Sequence, residues 1–274
     1  MTSTTCCSRL QAFSYGLKTF FKSISSILCS PQLLILFILY SGTGIAVGAL
    51  NVTLRTYAIT NPVFVLLMLS AYSIAGSILA FVFILGIAHK TSSLMKNKQS
   101  SLLTSLKNGI CGLPQMLLLL LIVFIAIFLL SILSIGTMLL LRTFLLSVII
   151  KIGKLPLIIL GGTIFTLFVS ILGSISLFII SAVGVSKCSL KDAFKSLKST
   201  PYMLSQVFGA VTPGILFGAA STAALFKLGL LTNPHSTLYL TPISYFLGTV
   251  SVIACTVLYH RAKGLPTNKP CNRA

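Results

Sequence analysis

The chain holds 274 residues with 20 Lys plus Arg against one Asp plus Glu, a net charge of +19, and 56% hydrophobic against 8% charged residues. Soluble domains carry roughly 25% charged residues, so a surface this poor in charge excludes an ordinary water-soluble fold and makes the bilayer the expected solvent. A single acidic side chain also excludes carboxylate-pair catalysis, a metal cage of Asp and Glu, and proton or sodium coupling through an intramembrane acid.

In chain order the first element is an amphipathic segment at 10–28. Leu10, Phe13, Leu17, Phe20, Phe21, Ile24 and Leu28 recur at three- and four-residue steps, with Lys18 and Lys22 on the opposite side. The pattern predicts a helix parallel to the membrane, its lysines at anionic headgroups and its apolar face in the acyl boundary or against the bundle. Six windows free of Lys, Arg, Asp and Glu follow, each longer than the roughly 18 to 20 residues that cross a hydrocarbon core. They predict six membrane helices near 32–53, 62–88, 115–140, 156–184, 207–230 and 241–259, with Pro31, Pro62, Pro114, Pro156 and Pro242 marking the starts. Continuous apolarity rather than alternation argues for helices over a membrane barrel. The first window is too long and begins too late for a cleaved leader, so it reads as a retained anchor.

Within the first helix, Gly44-x-x-x-Gly48 predicts close helix approach, as does Gly214-x-x-x-Gly218 in the fifth; Gly161-Gly162 in the fourth adds a flexible point. Asn51-Val52-Thr53 fits a glycosylation sequon but abuts the membrane, where it is a poor acceptor. Between the fourth and fifth helices, Leu190, Ala193, Phe194 and Leu197 form a second apolar face opposite Lys191, Lys195 and Lys198. Lys227 is the candidate intramembrane charge, near enough to a helix end for its stem to snorkel. His89, His235 and His260 fall at helix boundaries, on different sides of the membrane, and read as structural or solvated.

Fifteen Lys and Arg fall on the side of the two termini and five on the other, which places both termini in the cytoplasm. Dispersal of these charges among short loops argues against a nucleic-acid partner. Cys6, Cys7, Cys29, Cys111, Cys188 and Cys271 lie in segments on that same side, with Cys255 near the inner end of the sixth helix, as expected of thiols kept reduced. No Cys or His spacing suggests a metal or a cofactor.

Leu17-Lys18-Thr19-Phe20-Phe21-Lys22-Ser23 and Leu190-Lys191-Asp192-Ala193-Phe194-Lys195-Ser196 share the pattern L-K-x-x-F-K-S, with a weaker L-K-x-x-I at Leu106 to Ile110. Copies start at residues 17, 106 and 190, and each precedes a predicted helix hairpin. The expected fold is therefore all-α: one polytopic membrane domain of six helices in three tandem units, at about 10–90, 91–184 and 185–260, with a tail at 261–274.

Basic amphipathic segments of L-K-x-x-F-K-S character, each leading into a membrane hairpin, resemble the membrane domain of bacterial glycerophosphodiester phosphodiesterases and related multipass inner-membrane proteins. The resemblance implies a bacterial inner membrane. The phosphodiesterase catalytic domain is absent, so its activity is not implied. Mitochondrial carriers also have three repeats and six helices, but their acidic signature cannot be written with one carboxylate. The expected function is a non-enzymatic structural or interaction protein that organises envelope lipid or a membrane complex, with anionic lipids as partners. The competing reading is a transporter or channel for an anionic or neutral amphiphile.

Overall fold

The structure, a computed structural model, describes residues 2–56, 62–144, 155–186, 189–227 and 234–264. These residues form helices α1 (Thr2–Leu28), α2 (Pro31–Thr56), α3 (Pro62–Met95), α4 (Leu102–Phe144), α5 (Leu155–Ser186), α6 (Leu190–Ser199), α7 (Met203–Lys227) and α8 (Pro234–Ala262). No strand occurs among them. Pro31–Leu54, Val63–Met95, Leu102–Leu133, Met203–Ser221 and Leu240–Ala262 are each long and apolar enough to cross a membrane. Ser170–Ser186 with Leu190–Lys198, bent by 118°, raises the number to as many as six.

Local chemistry explains where these helices stop and start. Pro31 and Pro62 open α2 and α3, where the missing N–H would have no intrahelical partner. At the end of α3, Asn97 adopts φ 54°, Lys98 N–H donates to Ser93 O at 2.9 Å and Asn97 N–H to Leu94 O at 3.1 Å. This Schellman arrangement satisfies carbonyls that the helix leaves open. Ser189 caps α6, accepting from Asp192 N–H at 3.2 Å and donating to Asp192 Oδ2 at 2.8 Å. The chain's only acidic side chain is thereby engaged in starting a helix.

Two of the proline expectations are overturned. Pro114 lies inside α4, which begins at Leu102 instead of near 115, and Pro242 lies inside α8, which begins at Pro234. Proline removes one backbone bond from a membrane helix, but packing against neighbours can carry the helix through it. In α4 that packing comes from Gly109, where an added Cβ would strike the Val82 carbonyl, and from Gly112 against Leu85.

Three helices occupy the centre. α3, α5 and α8 pack on one another, and their C-terminal halves are the most fully buried part of the protein, with Leu85, Ile87 and Ala88; Phe178, Ile179, Ala182 and Val183; Val250, Ile253, Ala254 and Leu258 among the apolar side chains there. Around them, α2 lies between α3 and α8, α4 between α3 and α5, and α7 between α5 and α8. Each outer helix thus touches its own hairpin partner and the central helix of another hairpin. α1 packs chiefly on α7 and α8. At its crossing with α7, Gly16 faces the Gln206 carbonyl and Gly209 faces the Phe13 carbonyl so closely that a Cβ on either would meet backbone. The glycines anticipated in α7 do less: nothing lies within 4 Å of a Cβ at Gly218, and Gly214 has only ordinary contacts with α8. Gly44 does fulfil its expectation, with the Tyr245 ring filling the place of its side chain. At the other end of the bundle, Ile45, Phe64, Leu66, Leu67, Phe124 and Phe128 face outward, as helices do where lipid tails replace protein.

Candidate membrane-surface contact segments

The L-K-x-x-[FI] segments can now be placed residue by residue. Lys18 and Lys22 on α1 are exposed, as are Lys191, Lys195 and Lys198 on α6 and Lys107 on α4. Burial then follows one register in all three. Leu17, Leu106 and Leu190 are half-buried; Phe20, Gly109 and Ala193 are buried; Ser23, Gly112 and Ser196 are buried. The apolar residue three after the first lysine faces out in each, with Phe21 58%, Ile110 57% and Phe194 41% exposed. Ser23 and Ser196 bond the carbonyl four residues earlier, Thr19 O and Asp192 O, each at 2.8 Å.

This placement corrects the expected helix faces. Leu10, Phe21 and Leu28 do not share an inward face with Phe20; they are exposed, and α1 rests on the bundle through Ala12, Gly16, Thr19, Phe20, Ser23, Ser26 and Ile27. Successive residues of a helix turn by 100°, which sets the exposed apolar residues on an arc between the bundle-facing side and the lysines. α6 behaves alike: Ala193 and Ser196 face inward, while Lys191, Phe194, Lys195 and Lys198, at i, i+3, i+4 and i+7, form one outward stripe. The physical reason is the close fit at Gly16 and Gly209. Backbones approach only along a strip of small side chains, so that strip, not the greasiest one, turns inward. The signal was in the sequence as Ala12, Gly16 and Thr19 at helical spacing, and the apolar residues outshone it.

The last turn of α8 ties three helices together. Tyr259 Oη and Ser186 Oγ of α5 lie 2.9 Å apart, His260 Nε2 and Ser92 Oγ of α3 lie 2.9 Å apart, and Arg261 stacks over the Tyr15 ring of α1 at 4.2 Å. One turn supplies all three because consecutive side chains diverge by 100°. His89 joins α3 to α4, with the Asn108 amide nitrogen at 2.8 Å from Nε2 and Ser105 Oγ at 3.4 Å from Nδ1. His89 and His260 each bond across to a neighbouring helix, with partners that could not be read from spacing.

Lys227 closes α7, and its side chain lies outside the described residues, as do the side chains of Asn51, Cys6, Cys7 and His235 and the surroundings of Gly161 and Gly162. Lys187, Cys188 and Cys271 are outside them altogether. Cys29 and Cys111 are free and exposed, and Cys255 is free and buried. Among the described residues no group of three or more His, Cys, Asp or Glu could hold a metal ion. The chain matches no family model, no curated protein and no solved structure.

Proposed function

We propose that the chain is a multipass membrane protein that organises anionic lipid at the cytoplasmic face, acting as a structural or interaction protein rather than an enzyme. The observation that carries this reading is the common register of Lys18-Phe21-Lys22, Lys107-Ile110 and Lys191-Phe194-Lys195. Each sets an exposed apolar side chain within one turn of exposed lysine. Such an arc suits the boundary between acyl chains and headgroup phosphates. Countercharge is the second support. With 20 basic side chains and one acid, almost all neutralisation must come from outside the chain, and anionic headgroups supply it.

The reading includes three tandem units. Their support is the shared motif and the arrangement of α3, α5 and α8 at the centre, with each outer helix bridging to a second hairpin. It also includes cytoplasmic termini and a bacterial inner membrane, on the lysine distribution and on the resemblance to phosphodiesterase membrane domains. Transport along the central axis is less favoured, because the inner turns of α3, α5 and α8 meet through fully buried side chains, apolar ones interleaved with Ser174, Ser181, Ser251 and Thr256, and Ser181 donates across to the Val252 carbonyl at 3.1 Å. The test is mass spectrometry of lipid retained after gentle extraction. Anionic lipid should be enriched over the host membrane, and the enrichment should fall when Lys18, Lys22, Lys191 and Lys195 are all replaced by Gln. A retained lipid profile identical to the bulk membrane would refute it.

A further inference from the structure

We infer that Tyr202 is a membrane-interface anchor at the corner between α6 and α7, kept for its ring at a backbone position that favours glycine. The inference rests on reading α6 as a membrane-surface helix and adds the group that fixes where that surface meets α7. Thr200-Pro201-Tyr202-Met203 forms a tight turn, with Met203 N–H donating to Thr200 O at 3.2 Å. The ring of Pro201 locks its φ near about −65°, while Tyr202, the next residue, has φ 58°. Among the common turns only type II combines the two, and its third position ordinarily takes glycine or asparagine. The conformation is held from the other side as well, because Tyr202 O accepts from Gln206 N–H at 3.1 Å in the first turn of α7. A bulky side chain in the left-handed region is a genuine outlier, and such outliers point to a function of the side chain. Asn97, the other described residue outside glycine with positive φ, is of a type that tolerates it, so the tyrosine is the exception.

Packing does not account for the ring. It is 39% exposed and joins neither the apolar core nor an aromatic pair among the described residues. Its neighbours in the chain mark a boundary. Lys198, exposed in the last turn of α6, lies four residues before it. Leu204, 45% exposed, lies two residues after it, at the start of the Met203–Ser221 length that is apolar enough to cross a membrane. An ammonium on one side and an outward leucine on the other bracket the depth of the headgroups and glycerol esters. Tyrosine is enriched at that depth because its ring is apolar and its hydroxyl polar. The occupant of this corner is therefore a lipid surface, with the ring among the upper acyl segments and the hydroxyl at the ester and phosphate oxygens.

The chain contains no tryptophan, so Tyr202→Trp supplies a single fluorescent reporter at the corner. The variant is reconstituted in vesicles of phosphatidylcholine and phosphatidylglycerol. Its emission should be quenched more by lipid brominated high on the acyl chain than by lipid brominated near the chain end, and little by aqueous acrylamide. Quenching by acrylamide alone would put the side chain in water, and quenching by neither agent would bury it against protein; each result overturns the proposal. The backbone half is tested by thermal unfolding in neutral detergent. Tyr202→Gly should melt about 2 to 4 °C above Tyr202→Ala, the shift that relief of one left-handed residue implies, since neither variant carries the ring. Equal melting of the two would show that the position carries no strain and would remove the argument for a retained ring. Lipid kept through gentle extraction is measured alongside. Unquenched emission with anionic lipid still enriched strikes the Tyr202 anchor alone, whereas a wild-type lipid profile identical to the bulk membrane strikes the membrane-surface reading on which the anchor rests.

Discussion

Gly209 and Gly218 lie nine residues apart on α7 and make opposite demands. A Cβ at Gly209 would strike the Phe13 carbonyl of α1, a backbone atom that can yield only if the helices separate. Gly209→Ala should therefore destabilise the protein by about 1 to 3 kcal/mol, the usual range for overpacking. Gly218 has open space around it, so Gly218→Ala should be neutral or stabilising by up to about 1 kcal/mol, from helix propensity alone. Thermal unfolding of both variants in one detergent settles the pair; equal effects would mean that α1 does not cross α7 at this point. At the α8 terminus, Tyr259→Phe removes the hydroxyl that meets Ser186 and should cost about 1 kcal/mol. The same melting assay measures it, and an unchanged midpoint would show that the α5–α8 tie carries no stability.

At the scale of the element, α6 is a ten-residue helix, too short to persist on its own. Ser189 and the inward Ala193 and Ser196 hold it in place. Replacing Ser189 with Ala should cost about 1 kcal/mol of local stability, read as faster amide exchange over 190–199 with little change in global melting. Phe194→Ala should leave exchange unaltered, because the ring faces outward, yet weaken association with anionic vesicles. Loss of protection in Phe194→Ala would instead make the ring a packing residue. Helix existence in these segments was legible from apolar periodicity and lysine placement. The facing was not: Phe21 and Phe194 sit at the edge of the apolar arc, and a one-chain pattern cannot tell a bundle-facing edge from a lipid-facing one. Likewise Pro114 and Pro242 carried a correct local rule about helix starts that tertiary packing overrode. Ser92, Ser105 and Asn108 were unreadable as histidine partners, since those pairings depend on how α3 meets α4 and α8.

For the whole molecule, the six windows correspond to five helices long and apolar enough to cross a membrane, or six with the bent α5–α6 pair, because continuous apolarity over twenty residues has few alternative solutions. The asymmetry of packing goes further than the windows did. Full burial concentrates where α3, α5 and α8 end, beside the segments carrying Lys18, Lys107 and Lys191, while the opposite halves of α2, α3 and α4 face outward. If the positive-inside rule orients the chain, this tightly joined end is cytoplasmic. Cys29 and Cys111 report on it directly: both are free and exposed, and they lie beside different lysine segments of the same end, whereas Cys255 is buried. A membrane-impermeant maleimide should modify neither exposed thiol in intact cells and both in inverted vesicles, with Cys255 protected until the protein is unfolded. Labelling of both in intact cells would reverse the orientation. Labelling of one and not the other would break the shared end itself, and with it the idea that the L-K-x-x-[FI] segments address one leaflet. With the shared end intact, charge sets the salt dependence. Changing Lys18, Lys22, Lys191 and Lys195 to Gln should remove about 4 kcal/mol of attraction to anionic vesicles at low salt, at roughly 1 kcal/mol per charge near the surface. The difference should shrink as the Debye length falls from about 10 Å at 0.1 M to about 3 Å at 1 M, so a gap between variant and wild type that persists at 1 M salt would place the lysines in packing instead of at headgroups.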